Sequence, residues 1–260
     1  MRHSLGAVPA LIGALTIASP AVAQDLFEIQ VYPYDTVASR HTMVEIHTNF
    51  YPSGTTSAPP NEFALNHQLH VTAEITHGFT NYFETALYIV TAGYVPDHGA
   101  QFAGWRIRPR FRLPELEGFP FKVSISFEVG FNQPEFEADT RTLEIRPIFE
   151  REQGRLYLSI NPDLTKSFRG PGSSEGLGFE PGVKVAWDVT PKAAAGIEYY
   201  AETGPLKHFN PLSEQHHLIF PTLDLNVSPD WELNFGVGRG LTNTSEHWIV
   251  KSIVGYRFKH

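Results

Sequence analysis

The sequence predicts an all-β fold, a transmembrane antiparallel β-barrel of about twelve strands joined as an up-and-down meander. Three observations favour it: a secretory leader, repeated alternation of apolar and polar residues, and no later apolar run long enough for a membrane-spanning helix. The chain has 260 residues, no cysteine and a formal net charge of −8. It is therefore not held together by disulfides, and its acidic balance argues against a general nucleic-acid binder.

The first 23 residues are predicted to be a signal peptide, with a basic start at Arg2, an apolar run and small residues before the cleavage site. Residues 24–260 then form a single barrel domain, exported to the bacterial outer membrane. A soluble exported β-protein is the alternative. Residues 24–40 precede the first predicted strand, and within them residues 25–37 are a periplasmic tail, a short plug or an extra pairing segment.

A period of two along the chain defines the strands. In residues 230–240, Trp231 and Leu233 fall on one face while Glu232 and Asn234 fall on the other. An even number of strands is typical of single-chain bacterial barrels. The twelve predicted strands cover residues 42–51, 64–77, 81–94, 101–113, 120–132, 139–150, 155–166, 176–190, 193–203, 215–227, 230–240 and 246–258.

The connections and the aromatic residues agree with this fold. Long or Pro/Gly/Ser-rich connections follow the odd-numbered strands and shorter ones follow the even-numbered strands, as expected for outer loops and periplasmic turns. Aromatic residues at the periplasmic strand ends predict an interfacial girdle. Its members are Phe79, Phe83, Phe111, Phe121, Phe149, Trp187, Trp231, Tyr256 and Phe258.

The last segment, HWIVKSIVGYRFKH, resembles the C-terminal strand signal of bacterial outer-membrane β-barrels through Trp248, Tyr256 and Phe258. Lys259 and His260 follow the final aromatic residue, which departs from that signal. The resemblance implies contact with outer-membrane lipids and recognition by the barrel-assembly machinery through these three aromatic residues. In size and strand count the chain is also similar to outer-membrane transporters of the phenol-degradation MetA-type family.

Four arginines recur at every second position of GWRIRPRFRLPE, residues 104–115. A lipid-facing arginine near the bilayer centre costs roughly 2 to 4 kcal/mol, so four would cost on the order of 10 kcal/mol. We therefore expect a lumen charge ladder made of Arg106, Arg108, Arg110 and Arg112, with further lumen cations at Lys122, Arg146 and Lys184. The predicted acidic partners of these lumen cations are Glu84, Glu128, Glu144, Glu180, Glu198 and Glu232.

Two interpretations of the charged lumen stay open. In the first, the charges form a packed network that stiffens a non-conducting barrel. In the second, the ladder faces Glu180, Glu198 and Glu232 across a constriction and orients polar solutes, so that the barrel is a narrow channel or passive transporter for small solutes. Conductance depends on the free width of the lumen, and twelve strands lie between filled and open barrels.

Five prolines fall inside predicted strands on the lipid-facing parity. Because proline cannot donate a ladder hydrogen bond, we expect the wall there to be bulged, bent or locally unpaired. The prolines either relieve strain and set the curvature or mark a lateral opening for apolar or aromatic compounds. They are Pro109, Pro147, Pro162, Pro181 and Pro221.

Motifs for other chemistry are incomplete, and no enzyme, cofactor or metal site is predicted. GVGRGL lacks a strand–turn–helix context, and GPGSSEGLG lacks the GK[ST] ending of a phosphate loop. His208, His216 and His217 lie near Glu214 without a fixed metal-binding spacing. A membrane-embedded hydrolase is a less favoured alternative, because it needs a serine and a histidine together on the lipid face. No GxSxG occurs, and the lipid-face pair Ser252 and His217 falls near opposite ends of the predicted barrel.

Overall fold

The computed structural model describes residues 26–259 and shows a closed barrel of twelve antiparallel strands, as predicted. Each strand pairs with its neighbours in sequence, and β1 closes the barrel against β12. The predicted signal peptide, residues 1–23, lies outside the described residues. The strands are β1 His41–Ser53, β2 Leu69–Thr80, β3 Phe83–Val95, β4 Gly99–Arg112, β5 Lys122–Asn132, β6 Arg141–Gln153, β7 Leu156–Arg169, β8 Gly178–Thr190, β9 Ala193–Glu202, β10 His216–Leu225, β11 Trp231–Gly240 and β12 Trp248–Lys259.

Alternation along each strand separates an inner face from an outer face. On β4, Trp105 and Ile107 are each 40% exposed, whereas Arg108 is 2% exposed. The outer wall therefore carries the apolar side chains that a bilayer solvates, and the arginines point inward. No helix among residues 26–259 is long and apolar enough to cross a membrane. Two short 3₁₀ helices, Pro171–Ser174 and Leu212–Glu214, lie between strands.

The predicted alternation of long and short connections is observed except at two positions. The third connection, residues 96–98, is short, because Asp97 and Gly99 have positive φ angles of 63° and 70° and allow a tight turn. The fourth, residues 113–121, is long. It contains Pro114, which has no backbone N–H to donate to a neighbouring strand, and Gly118 at φ 78°.

The end of the barrel that carries the β1–β2 connection is here called the loop end, and the opposite end is called the turn end.

The aromatic residues of the predicted girdle gather at the turn end. Phe83 stacks on both Phe79 and Phe111, at ring-centroid distances of 5.5 and 4.8 Å. Tyr256 contacts Trp231 and Phe258 at 5.0 and 4.9 Å. Such clusters of rings fit the boundary between lipid and water.

The residues before β1 add no strand to the sheet. They pass through the lumen from the loop end to the turn end, and residues 26–38 are here called the plug. At the loop end, the carbonyl oxygen of Leu26 accepts hydrogen bonds from Asn49 and Tyr51 of β1. At the turn end, the plug lies so close to Gly78 that an added Cβ would be 2.2 Å from the carbonyl oxygen of Val37.

Apolar residues pack inside the barrel around the plug, which the parity of the strands did not predict. Phe27 packs within a buried cluster that includes Tyr88 of β3. Ile29 and Val31 belong to a second cluster with inward-facing residues of β9, β10 and β12, among them Phe220. These side chains face the lumen because the plug covers them there, so they stay out of water without facing lipid.

Candidate functional site: the plugged lumen

The candidate functional site is the lumen together with the plug that fills it. Side chains of the wall accept hydrogen bonds from the plug backbone at three places. The amide of Tyr32 donates to Oδ1 of Asn161 at 2.6 Å, and the amide of Tyr34 donates to Oε2 of Glu150 at 2.8 Å. Near the turn end, the amide of Val37 donates to Oε2 of Glu84 at 2.5 Å.

Wall side chains also donate to the carbonyl oxygens of the plug. Ser159 and Asn161 donate to the carbonyl of Tyr32 at 2.7 and 3.2 Å, and Lys251 donates to that of Ile29 at 2.9 Å. Arg110 donates to the carbonyl of Asp35 at 2.5 Å. The plug is thus held by side chains of the wall and takes no part in the backbone hydrogen bonds between strands that close the barrel.

The ring of Tyr32, in the plug, contacts two of the predicted lumen arginines. The guanidinium carbons of Arg108 and Arg146 lie 4.5 and 4.2 Å from the centroid of its ring. Its hydroxyl is 2.9 Å from that of Tyr88, so one hydroxyl donates to the other. Cations over an aromatic face are attracted to its quadrupole, and the attraction is stronger where water is excluded.

Each arginine of the ladder has a carboxylate partner. The nitrogen–oxygen distances are 3.3 Å for Arg106 with Glu128, 2.5 Å for Arg108 with Glu74, 2.7 Å for Arg110 with Glu84 and 2.7 Å for Arg112 with Asp35. Glu84 and Glu128 were expected from the sequence, whereas Glu74 and Asp35 were not. Glu144, the third expected partner, lies 2.8 Å from Arg146 instead.

The two unexpected partners come from places that a strand-by-strand analysis does not connect. Asp35 belongs to the plug, and Glu74 lies on β2, two strands away from Arg108. Strand β3 lies between Glu74 and Arg108. Its residue Ala86 is paired with Arg108, and the alanine side chain is too short to block the contact. A small residue facing inward on the intervening strand is the one signal that indicates such a contact.

The remaining predicted lumen charges are also engaged. Lys184 lies 3.1 Å from Glu198 and 2.8 Å from Asp224, and Lys251 also pairs with Glu198. Lys122 is more exposed and lies 3.7 Å from Glu150. The other contacts are Arg146 with Asp163 at 3.0 Å, Glu232 with Arg257 at 3.0 Å, and Glu180 accepting a hydrogen bond from Thr165 at 2.7 Å.

Loops close the lumen above the plug. The amide of Phe63, in the first connection, donates to the carbonyl of Glu135 at 2.8 Å, and its ring lies 5.3 Å from that of Phe136. Phe136 in turn contacts the plug residue Phe27 at 5.6 Å. Phe27, Phe63 and Phe136 thus join the plug to two loops at the loop end, and these three rings are here called the aromatic lid.

A second loop contact carries a titratable group. Glu246, in the last connection, is 3% exposed and accepts a hydrogen bond from the amide of Thr55 at 2.7 Å. Burial raises the pKa of the Glu246 carboxyl to about 7, and the hydrogen bonds from Thr55 offset part of that rise. This carboxyl therefore changes charge in the neutral range and joins the first and last connections.

A lumen cavity and a groove in the outer wall adjoin the described residues of this site. One of about 360 Å³ lies in the lumen towards the turn end and is lined by the lower plug and by wall charges including Glu45, Glu74 and Arg257. The other, a groove of about 570 Å³, lies on the outer wall beside Pro221. Apolar side chains line most of it, and the inward-facing Lys251 lies at its floor.

Pairing of the strands lapses at the predicted prolines. The gaps lie beside Pro109 between β4 and β5, beside Pro147 and Pro162 between β6 and β7, and beside Pro221 between β10 and β11, while Pro181 lies just past the last pair of β8 with β9. The register has the same offset on both sides of the three gaps, so no residue is inserted there. The wall at these places is locally unpaired and is not bulged.

Comparison with known structures adds to these observations. The chain matches the COG4313 outer membrane channel from Pseudomonas putida F1 with a TM-score of 0.59 and 12% identity, covering 89% of this chain and 100% of that one. It shares its fold with bacterial outer-membrane channels. The NanC porin matches with a TM-score of 0.56 and 9% identity over 84% of this chain and 100% of that one. For the KdgM porin these values are 0.54, 11%, 83% and 99%.

No family model matches the sequence, and no curated protein matches it. The similarity to the phenol-degradation MetA-type family therefore stays a prediction. The matched structures share about a tenth of their residues with this chain, so they support the barrel architecture and leave its solute to be argued from its own residues.

Proposed function

We propose that this protein is a narrow outer-membrane channel or passive transporter for small solutes, and that its own plug controls passage through the charged lumen. With the plug seated, the lumen is filled by residues 26–38 and closed above by the aromatic lid. Displacement of the plug would leave the twelve-stranded wall intact and uncover a passage lined by arginines and carboxylates.

The observation that carries this proposal is the way the plug is attached. Its backbone is bound by wall side chains, among them Asn161, Glu84 and Arg110, and by no backbone group of a neighbouring strand within residues 26–37. A segment that contributes nothing to the closing ladder can move without opening the sheet.

The test is the conductance of refolded protein in planar bilayers, comparing residues 24–260 with the same chain lacking residues 26–36. The complete chain should show rare, small openings, and the deletion variant should conduct steadily with larger steps. Heat-dependent gel migration checks that both barrels are folded. A folded deletion variant that conducts no more than the complete chain would contradict the proposal and favour a non-conducting structural barrel.

A second candidate function is the transfer of apolar or aromatic compounds through the side of the barrel. The groove beside Pro221 favours it, because strand pairing lapses there and the groove connects outward-facing Phe235 with inward-facing Thr222 and Lys251. An apolar molecule that left the lumen at this place would enter the lipid without crossing the outer surface.

Replacing Pro221 with valine restores a backbone donor at the gap and tests this second function. Uptake of an apolar aromatic probe such as toluene by cells that carry the variant should then fall, while conductance of small ions stays the same. The matched control is Pro109→Val, at a gap with no such groove. Unchanged toluene uptake in the Pro221 variant would count against lateral transfer.

A further inference from the structure

Three potential metal ligands meet where the plug touches β1 and β2. Glu28 belongs to the plug, His47 to β1 and Glu74 to β2, and all three are buried. Each offers one ligand atom, and these atoms lie within 4.8 Å of one another. Alternation along the strands does not reveal this cluster, because Glu28 precedes the first strand and reaches the lumen only through the plug.

The cluster also contains polar atoms that have no partner in the described part of the chain. Glu28 is 2% exposed, and its Oε1 has no hydrogen-bond partner. The Nδ1 of His47 also has none. Glu74 uses Oε1 to accept from Arg108 and Thr76, while its Oε2 lies 3.2 Å from Nε2 of His47. A buried carboxylate oxygen without a donor is costly, and a bound cation would satisfy it.

The charges around the cluster are unbalanced. Arg108 offsets Glu74, and Arg257 offsets Glu232. Glu28 and Glu45 remain, and among residues 26–259 neither has a lysine or arginine nitrogen within 4.0 Å. A cation bound between Glu28 and Glu74 would supply the positive partner that Glu28 lacks in the lumen.

A cavity lies between the turn end and one side of the cluster. The cavity of about 360 Å³ is lined by Glu74 and Glu45 beside the cluster and by Pro229 and Arg257 towards the turns. An ion would therefore approach the cluster beside Glu74, and water in the cavity could complete its coordination.

We propose that Glu28, His47 and Glu74 form a binding site for a divalent transition-metal ion of the zinc class. One imidazole and two carboxylates suit zinc, whereas magnesium and calcium prefer ligand sets made of oxygen alone. Because Glu28 lies on the plug and the other two ligands lie on the wall, the ion fastens the plug in the lumen. The site goes beyond the proposed channel function and does not depend on whether any solute passes.

The test measures metal binding directly, without any transport. Refolded, tag-free residues 24–260 are stripped with a chelator, titrated with Zn²⁺ and freed of loose ion by gel filtration, and the retained metal is measured. The wild-type chain should retain one Zn²⁺ in the presence of excess Mg²⁺. Glu28→Gln and His47→Gln should each weaken binding by at least roughly 100-fold, because losing an outer-shell partner alone costs 10- to 100-fold.

Glu202→Gln is the matched control. Glu202 is 5% exposed, and its Oε2 has no hydrogen-bond partner, but it lies on β9 outside the cluster. Its variant should bind Zn²⁺ like the wild type. Retention that is equal in the wild type and in Glu28→Gln would assign the metal to surface histidines and overturn the proposal, as would wild-type protein that retains none.

A second measurement needs no variant and so does not depend on their folding. Co²⁺ bound by an imidazole and two carboxylates in a site of low coordination number absorbs visible light more strongly than hydrated Co²⁺. As Zn²⁺ displaces it, the spectrum should revert to that of hydrated Co²⁺. A wild-type spectrum that matches hydrated Co²⁺ at every concentration would overturn the proposal.

Discussion

Replacing Tyr32 with alanine should unseat the plug. The change removes the contacts of the ring with Arg108 and Arg146, at 4.5 and 4.2 Å, and the hydrogen bond with Tyr88 at 2.9 Å. Two desolvated cation–π contacts contribute about 1 to 2 kcal/mol each and the hydrogen bond about 1 kcal/mol, about 4 kcal/mol together. At about 1.4 kcal/mol per factor of ten, the displaced plug should become roughly 10³-fold more populated relative to the seated one.

The assay is single-channel recording of refolded protein, with the open probability as the readout. Tyr32→Phe is the matched control, since it keeps the ring against both arginines and loses only the hydroxyl contact, about 1 kcal/mol or a fivefold change. The alanine variant should therefore open far more often than the phenylalanine variant. Equal open probabilities in the two variants, with both folded by heat-dependent gel migration, would refute the assignment of the ring contacts as the main hold on the plug.

Three further predictions concern the same assembly. Gly78→Ala would place a methyl carbon 2.2 Å from a plug carbonyl oxygen, so we expect it to raise the open probability without changing the strand content measured by circular dichroism. Lys251→Met removes one of two cations from buried Glu198 and should lower the free energy of unfolding in urea by about 3 kcal/mol, whereas Lys122→Met, at a more exposed pair, should lower it by about 1 kcal/mol or less. Burial raises the pKa of Glu246 in the folded state, so its contribution to stability is complete below pH 4.5 and is lost as the pH rises to about 7; Glu246→Gln should remove this part of the pH dependence of thermal unfolding.

The contacts of the lumen charges bear on its two interpretations, the packed network and the charged passage. With the plug in place, the ladder arginines are matched by carboxylates, and Glu198 and Glu232 face their own cations. That arrangement fits the packed network. Displacement of the plug would remove Asp35 from Arg112, while the other three arginines would keep their wall carboxylates, so the second interpretation requires a field that starts from Arg112.

The sequence by itself determined the wall of this protein. A period of two, the even strand count and the cost of lipid-exposed arginine are local properties, so they placed Arg108 inward and Trp105 outward and predicted each of the twelve strands within a few residues. Even so, the start of β2 at Leu69 and the tight turn at 96–98 depended on backbone geometry that the alternation does not encode.

Only the tertiary structure decided what fills the barrel. Residues 26–38 share the alternation of a strand but have no free strand edge to pair with, since β1 and β12 close the sheet on each other. The lumen remains for them, and there they bring Tyr32 to the arginines and Glu28 to His47. Such contacts depend on the width of the closed barrel and on strands that are not neighbours. The sequence pattern could therefore place Glu74 on the inner face, but it could not show that Glu74 reaches Arg108.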